Sequence, residues 1–99
     1  MNAKIEIPYK RIAEFCKENR IKKLALFGSV LRDDFSNSSD IDILAEFEQG
    51  ARVGLDFFRI QNELSEIFGR KVDLNTKAFL SKNFREQVIN NSEVIYGAA

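Results

Sequence analysis

The sequence predicts an α/β or α+β fold, a small mixed sheet of three main strands covered by helices in the order α-β-turn-β-α-β-α. Three observations carry this. Stretches with a helical apolar period alternate with short apolar runs of strand length. Glycine or loop composition separates most of them. Strands interleaved with helices require a sheet whose faces those helices cover. With 99 residues, 44% of them hydrophobic and 30% charged, the chain has material for one core, and residues 1–99 read as a single domain.

Pro8 suits a first helical position, and Tyr9, Ile12, Ala13 and Cys16 fall on one helical stripe that runs through about Glu18. Lys22 to Phe27 reads as a buried strand stopped by Gly28. Ser29 to Asp33 has the length of about one helical turn, and Asp34 to Ser39 is loop composition. Asp40 to Phe47 is the best strand in the chain, followed by a loop around Gly50. From Val53 to Phe68 the apolar residues Val53, Phe57, Ile60, Leu64, Ile67 and Phe68 form a core-facing helical stripe, which Gly69 ends as a C′ glycine. Leu55 and Phe58 lie off that stripe, near Asn62 and Ser65, and would form a docking patch if the outer face is functional. Lys71 to Leu74 is a short strand, Ser81 to Asn91 a last helix, and Glu93 to Tyr96 a small extended tail.

Charge and composition exclude several chemistries. Fifteen Lys+Arg balance fifteen Asp+Glu, which argues against a broad phosphate-tracking surface for nucleic acid. The chain has no His, so Ser-His-Asp and Cys-His catalysis and His-ligated metals are out of reach. A single Cys16, on an apolar stripe, reads as an inert buried thiol. Any metal site must use oxygen ligands, which points to Mg2+, Mn2+ or Ca2+. The N-terminal residues lack the apolar run of a signal peptide, and the stretch Leu24 to Leu31 is too short to span a bilayer. A cytoplasmic location is expected.

The chemistry centres on Asp40-Ile41-Asp42-Ile43-Leu44. Side chains on a strand alternate faces, so Asp40 and Asp42 project together while Ile41 and Ile43 enter the core. Two adjacent carboxylates disfavour each other's ionisation, so they call for a proton or a cation between them. Val72-Asp73-Leu74 repeats the alternation, and a strand beside Asp40–Leu44 would bring Asp73 onto the same patch. Such an all-oxygen patch suits one or two Mg2+ ions. Gly28-Ser29 supplies a second element, a glycine leaving a strand with a hydroxyl opening a turn, and Arg32 follows Ser29 at i+3. If the two strands pair antiparallel, phosphate donors meet carboxylates at one end of the sheet, the equipment of phosphoryl or nucleotidyl transfer.

Gly28-Ser29, ten residues, then Asp40-Ile41-Asp42 resembles the signature of the nucleotidyltransferase superfamily that includes polymerase beta. Within it, Leu26 to Arg32, Ser39 to Leu44 and Gly69 to Leu74 resemble the minimal nucleotidyltransferases, the MNT proteins, and in particular the MntA-type antitoxins of HEPN/MNT toxin–antitoxin pairs. The likeness covers nearly the whole chain, including Ile95-Tyr96-Gly97. It implies a nucleotidyltransferase fold and transfer of AMP from ATP to a tyrosine of a co-encoded HEPN toxin. It implies that Asp40 and Asp42 hold a pair of Mg2+ ions, with Mn2+ as a substitute. Asp73 would complete one metal's shell and help activate the attacking hydroxyl. Gly28, Ser29 and Arg32 would bind the triphosphate. The expected partners are the toxin and a nucleoside triphosphate, in a hetero-oligomer, without nucleic acid or membrane. Two other readings compete: an antitoxin that neutralises its partner by occupancy alone, and a small-molecule nucleotidyltransferase of the aminoglycoside type.

Overall fold

The computed structural model describes residues 5–32, 35, 36 and 38–97. Asp33, where the sequence ends the predicted turn, and Asp34 and Asn37 of the predicted loop lie outside the described residues, as do Met1 to Lys4.

Helix α1 spans Tyr9–Glu18 and buries Ile12, Phe15 and Cys16. Its stripe is rotated from the predicted one: Phe15 is inside, while Tyr9, in the first turn, is 58% exposed. Pro8 stands at the N-cap, one residue before the predicted place. Strand β1 (Ile21–Phe27) leads into a 3-10 turn, Gly28–Leu31. Strand β2 is Ile41–Phe47, helix α2 Asp56–Phe68, and strand β3 Val72–Asn75. Val53, predicted to begin α2, precedes the helix but packs against the core. Gly69 ends the helix in the left-handed region, φ 70°, a conformation that glycine adopts without the Cβ penalty. Helix α3 (Lys82–Asn90) starts where Ser81 accepts a hydrogen bond from the Phe84 N–H at 3.3 Å.

The last segment adds to the sequence reading. Glu93–Tyr96 forms a strand, β4, that pairs antiparallel with β1, so the sheet has four strands in the order β3-β2-β1-β4. β1 and β2 pair antiparallel, while β2 and β3 are parallel with α2 as the crossover. Among the described residues, no helix is long and apolar enough to cross a membrane.

Each face of the sheet has its own apolar cluster. Ile41, Ile43, Leu24, Leu26, Val72 and Leu74 pack with Ile12, Cys16, Ile60 and Leu64. On the opposite face, Phe27 and Leu44 pack with Leu80 and Val88, below α3. Ile41 and Ile43 are fully buried, and each contributes about 1.5–3 kcal/mol by leaving water. Their burial fixes the register of β2. A slip by one residue would push Asp42 into the larger core, so the apolar neighbours hold this carboxylate on the α3 face.

Candidate active site

Asp42 lies at a crossing of three strands. Its Cα is registered opposite Phe27 of β1 and opposite Asp73 of β3. The Asp42 side chain is half-buried and lies beside that of Asp73, which is exposed. Burial pushes the Asp42 carboxyl up to about 6, the negative charges of Asp73 and Asp40 add to the rise, and Arg32 opposes it. Two carboxyls placed side by side disfavour each other's ionisation, so a cation is a favourable partner for them.

Asp40 is placed differently from its two companions. Its Oδ2 lies 3.8 Å from Lys71 Nζ, and among the described residues no three acidic side chains stand together as a ready cation cage. The ammonium of Lys71 competes for Asp40, whereas Asp42 and Asp73 lie side by side. The backbone around Asp40 is well tied: the Ile41 N–H donates to the Lys71 carbonyl at 2.9 Å, and Ser36 and Ser39 close the preceding turn through their backbone and hydroxyl groups. Phe35 of that connection lies under the Arg70 guanidinium, 4.7 Å from the ring centre.

The turn Gly28–Leu31 faces Asp42. Gly28 has φ +75°, and a Cβ at this position would overlap Asp42 Oδ2. The glycine therefore permits both the left-handed backbone and the close approach of the carboxylate. Val30 and Leu31 are buried and anchor the turn, leaving Gly28 and Ser29 half-exposed. The Arg32 N–H donates to the Ser29 carbonyl at 2.9 Å, which holds Arg32 at the turn's end with its side chain exposed.

Two positions that the sequence reading placed otherwise, or not at all, steady Asp73. Ser65 is half-buried rather than part of an outer face: its hydroxyl accepts from the Val72 N–H at 3.0 Å. Gln61 Oε1 accepts from the Leu74 N–H at 2.9 Å. These bonds satisfy the donors that flank Asp73 on the outer edge of β3 and clamp the strand to α2. Polar residues at i and i+4 on the inner side of a helix were the available signal. Leu55, at 86% exposed, and Phe58, at 60%, do lie outside the core as read.

The donor set fits a hard divalent cation: carboxylate oxygens alone, with Gly28 leaving space at Asp42. A larger cleft, of about 440 Å3, lies at the far end of β1 and is lined by Arg20, Arg52, Arg59, Glu18 and Asp56. Arg59 there pairs with Asp56 and Glu63, and Arg20 pairs with Glu48.

Paired strand carboxylates beside a glycine turn, on a small mixed sheet, are the arrangement expected of a nucleotidyltransferase. The chain belongs to the polymerase beta nucleotidyltransferase family, whose model matches residues 10–99. It is 32% identical over 76 residues to the protein adenylyltransferase MntA of Thermococcus cleftensis, a match covering 77% of this chain and 74% of that one. A solved structure of a provisionally assigned minimal nucleotidyltransferase superposes with a TM-score of 0.71 at 30% identity, covering 85% of each chain. The same fold occurs in a chain of the solved complex between the tri-AMPylated Shewanella oneidensis HEPN toxin and its MNT antitoxin. There the TM-score is 0.65 at 20% identity, over 91% of this chain and 70% of that one.

Proposed function

We propose that residues 1–99 act as a single minimal domain that transfers AMP from ATP, with Mg2+, to a protein hydroxyl, a tyrosine of a co-encoded HEPN toxin, and that this chain is the toxin's antitoxin. The observation that carries the reading is the Asp42–Asp73 pair set against Gly28 at one end of the sheet. The adenylyltransferase name of the Thermococcus relative and the AMP-bearing toxin in the structurally similar complex support the acceptor class.

Asp40, Asp42 and Asp73 would hold the cation, with Asp40 giving up Lys71. Bound Mg2+ supplies positive charge that neutralises phosphate oxygens and orients the α-phosphate. The Gly28-Ser29 turn offers backbone N–H groups and a hydroxyl to the triphosphate, and Arg32 adds a cation at the same end. The acceptor oxygen forms a bond to the α-phosphorus as the bond to the β-phosphate oxygen breaks, and pyrophosphate leaves. The exposed Asp73 carboxylate would take the phenolic proton, a role no imidazole is present to fill. A phenol suits this arrangement because its pKa of ~10 lies well below that of an aliphatic hydroxyl. A phosphodiester and an adenosine on the toxin would obstruct an RNA-admitting surface by charge and bulk.

Co-expression with the co-encoded neighbour and intact-mass measurement of that neighbour test the proposal. One or more AMP increments, located on tyrosine and absent with Asp42→Ala, are expected. An unmodified partner, with Asp42→Ala protecting cells as well as the native chain, would replace transfer by simple occupancy.

A further inference from the structure

The outer surface of the α1–α2 layer is divided by charge. At the Ile21 end of β1 lies the cleft of about 440 Å3, where Arg20, Arg52 and Arg59 face Glu18 and Asp56. Beside it, with Glu18 as a common wall, runs a groove of about 210 Å3 between α1 and α2. That groove gathers Glu14, Glu18, Glu63 and Glu66 against a single cation, Arg11. We propose that this layer is the contact face of a two-fold symmetric dimer, in which each copy's arginine cleft sits over the other's glutamate groove.

Arg59 is held by Asp56, Glu63 and the Asn19 side chain, and Arg20 by Glu48. Among the described residues, Arg52 on one side and Glu14, Glu18 and Glu66 on the other make no ion pair. All four are exposed. A chain of zero net charge thus keeps an unmatched cation and unmatched carboxylates next to one another on one face. Gathered glutamates repel each other, so a facing cation relieves the groove while a facing carboxylate satisfies the arginine. A partner of one sign would match only one of the two depressions. A second copy of this chain, turned end for end, carries both complements, because in a two-fold contact residue i meets j where j meets i.

Apolar surface lies on the same layer. Leu55 is 86% and Phe58 60% exposed, and with Asn62 they follow the i, i+3, i+7 spacing along the solvent side of α2. Phe58 is about one turn from the middle of the helix, so a two-fold axis crossing that middle puts it inside the contact. The Phe57 ring meets it edge-on with centroids 5.9 Å apart and leaves its outer side uncovered. Aromatic and arginine side chains are the groups that carry most binding energy at protein interfaces. A stable dimer takes about 800 Å2 from each partner, about an eighth of this chain's 6383 Å2. The contact therefore has to span both depressions and the Leu55–Phe58 pair. Asp42 stands on the α3 face of the sheet, opposite α2, so such a dimer leaves both carboxylate sites open. Nothing in this inference depends on what those carboxylates catalyse.

Sedimentation equilibrium of the full chain over a range of concentration and salt tests the dimer. The native chain should dimerise at micromolar concentration in about 0.1 M salt and weaken in about 1 M, where the screening length falls from about 10 to about 3 Å. Arg52→Glu and Glu66→Arg should each weaken the dimer about tenfold or more, because each sets like charges across the interface twice. Mixed in equal amounts, the two variants should regain native affinity as a heterodimer, since each supplies the charge that the other has lost. Mixing cannot repair a folding defect, so this rescue separates lost contact from lost structure. A chain that is monomeric throughout, a dimer indifferent to both substitutions, or variants that do not complement would overturn the proposal. A monomeric native chain that loses its co-encoded neighbour through Arg52→Glu would overturn it too, and assign the face to that partner. Each of these outcomes leaves the nucleotidyl-transfer reading standing.

Discussion

At Asp42 the carboxylate is partly withdrawn from water, faces the charges of Asp73 and Asp40, and is partly relieved by Arg32. The net rise to about 6 has a definite consequence for stability. Below the ordinary value of 3.8, native and unfolded chains both hold the proton. Between 3.8 and about 6 the unfolded chain releases it first, so native stability falls as pH rises, and the full cost stands above about 6. Full conversion would put that cost near ~3 kcal/mol, but the side chain is half in water, and screening reduces the expected size to about 1 kcal/mol. Asp42→Asn should therefore raise Tm by about 4–8 °C at pH 7.5 in EDTA. The gain should disappear by about pH 4, while AMP transfer is lost. A variant that melts with the native chain at both pH values would show that this carboxyl is not held under strain.

At the scale of the element, the turn Gly28–Leu31 cannot move away from Asp42, because Val30 and Leu31 pin it in the core. Gly28→Ala adds a Cβ where Asp42 Oδ2 now sits, at φ +75°. The left-handed backbone costs a non-glycine residue about 1–2 kcal/mol. Displacing the carboxylate by an ångström is expected to lower transfer on the order of a hundredfold. Gly50, with φ +84° and open space where a Cβ would lie, is the control. Gly50→Ala should show a comparable loss of Tm without the loss of transfer, and parallel kinetics for the two variants would remove the steric argument. The elements also show what a sequence can reveal. Asp-Ile-Asp-Ile declares its own two faces, so β2 and its carboxylates were legible, as was Gly69 at the end of α2. The extended Glu93–Tyr96 was read, but its place in the sheet was not, because a four-residue strand is defined by long-range pairing with β1 rather than by its own pattern. Ser65 was placed on the outer side and Gln61 escaped notice for a related reason: their partners are the backbone N–H groups of a strand that follows later in the chain. The Lys71–Asp40 pair likewise depends on how two strand ends meet.

For the whole molecule, the balance of fifteen cations and fifteen anions means that nucleotide binding has to come from local geometry rather than from a long-range basic field. The candidate pieces come from distant parts of the chain: the turn after β1, Asp42 on β2 and Asp73 on β3. In the unfolded chain these groups are scattered, so on the proposed reading Mg2+ and ATP would bind the native state alone and stabilise it by mass action. At a hundredfold excess over Kd the gain is about 2.7 kcal/mol, which for a chain of this size is on the order of 10–20 °C in Tm. Thermal melts should show this rise with Mg2+ and ATP together and a much smaller one with ATP in EDTA, since the carboxylates otherwise repel the triphosphate. Asp73→Asn, which removes a charge from an exposed position on the edge strand, should fold normally yet lose most of the Mg2+-dependent part. An equal rise with and without Mg2+ would mean that the triphosphate is held by the Gly28 turn and Arg32 alone, and the carboxylates would then need another role.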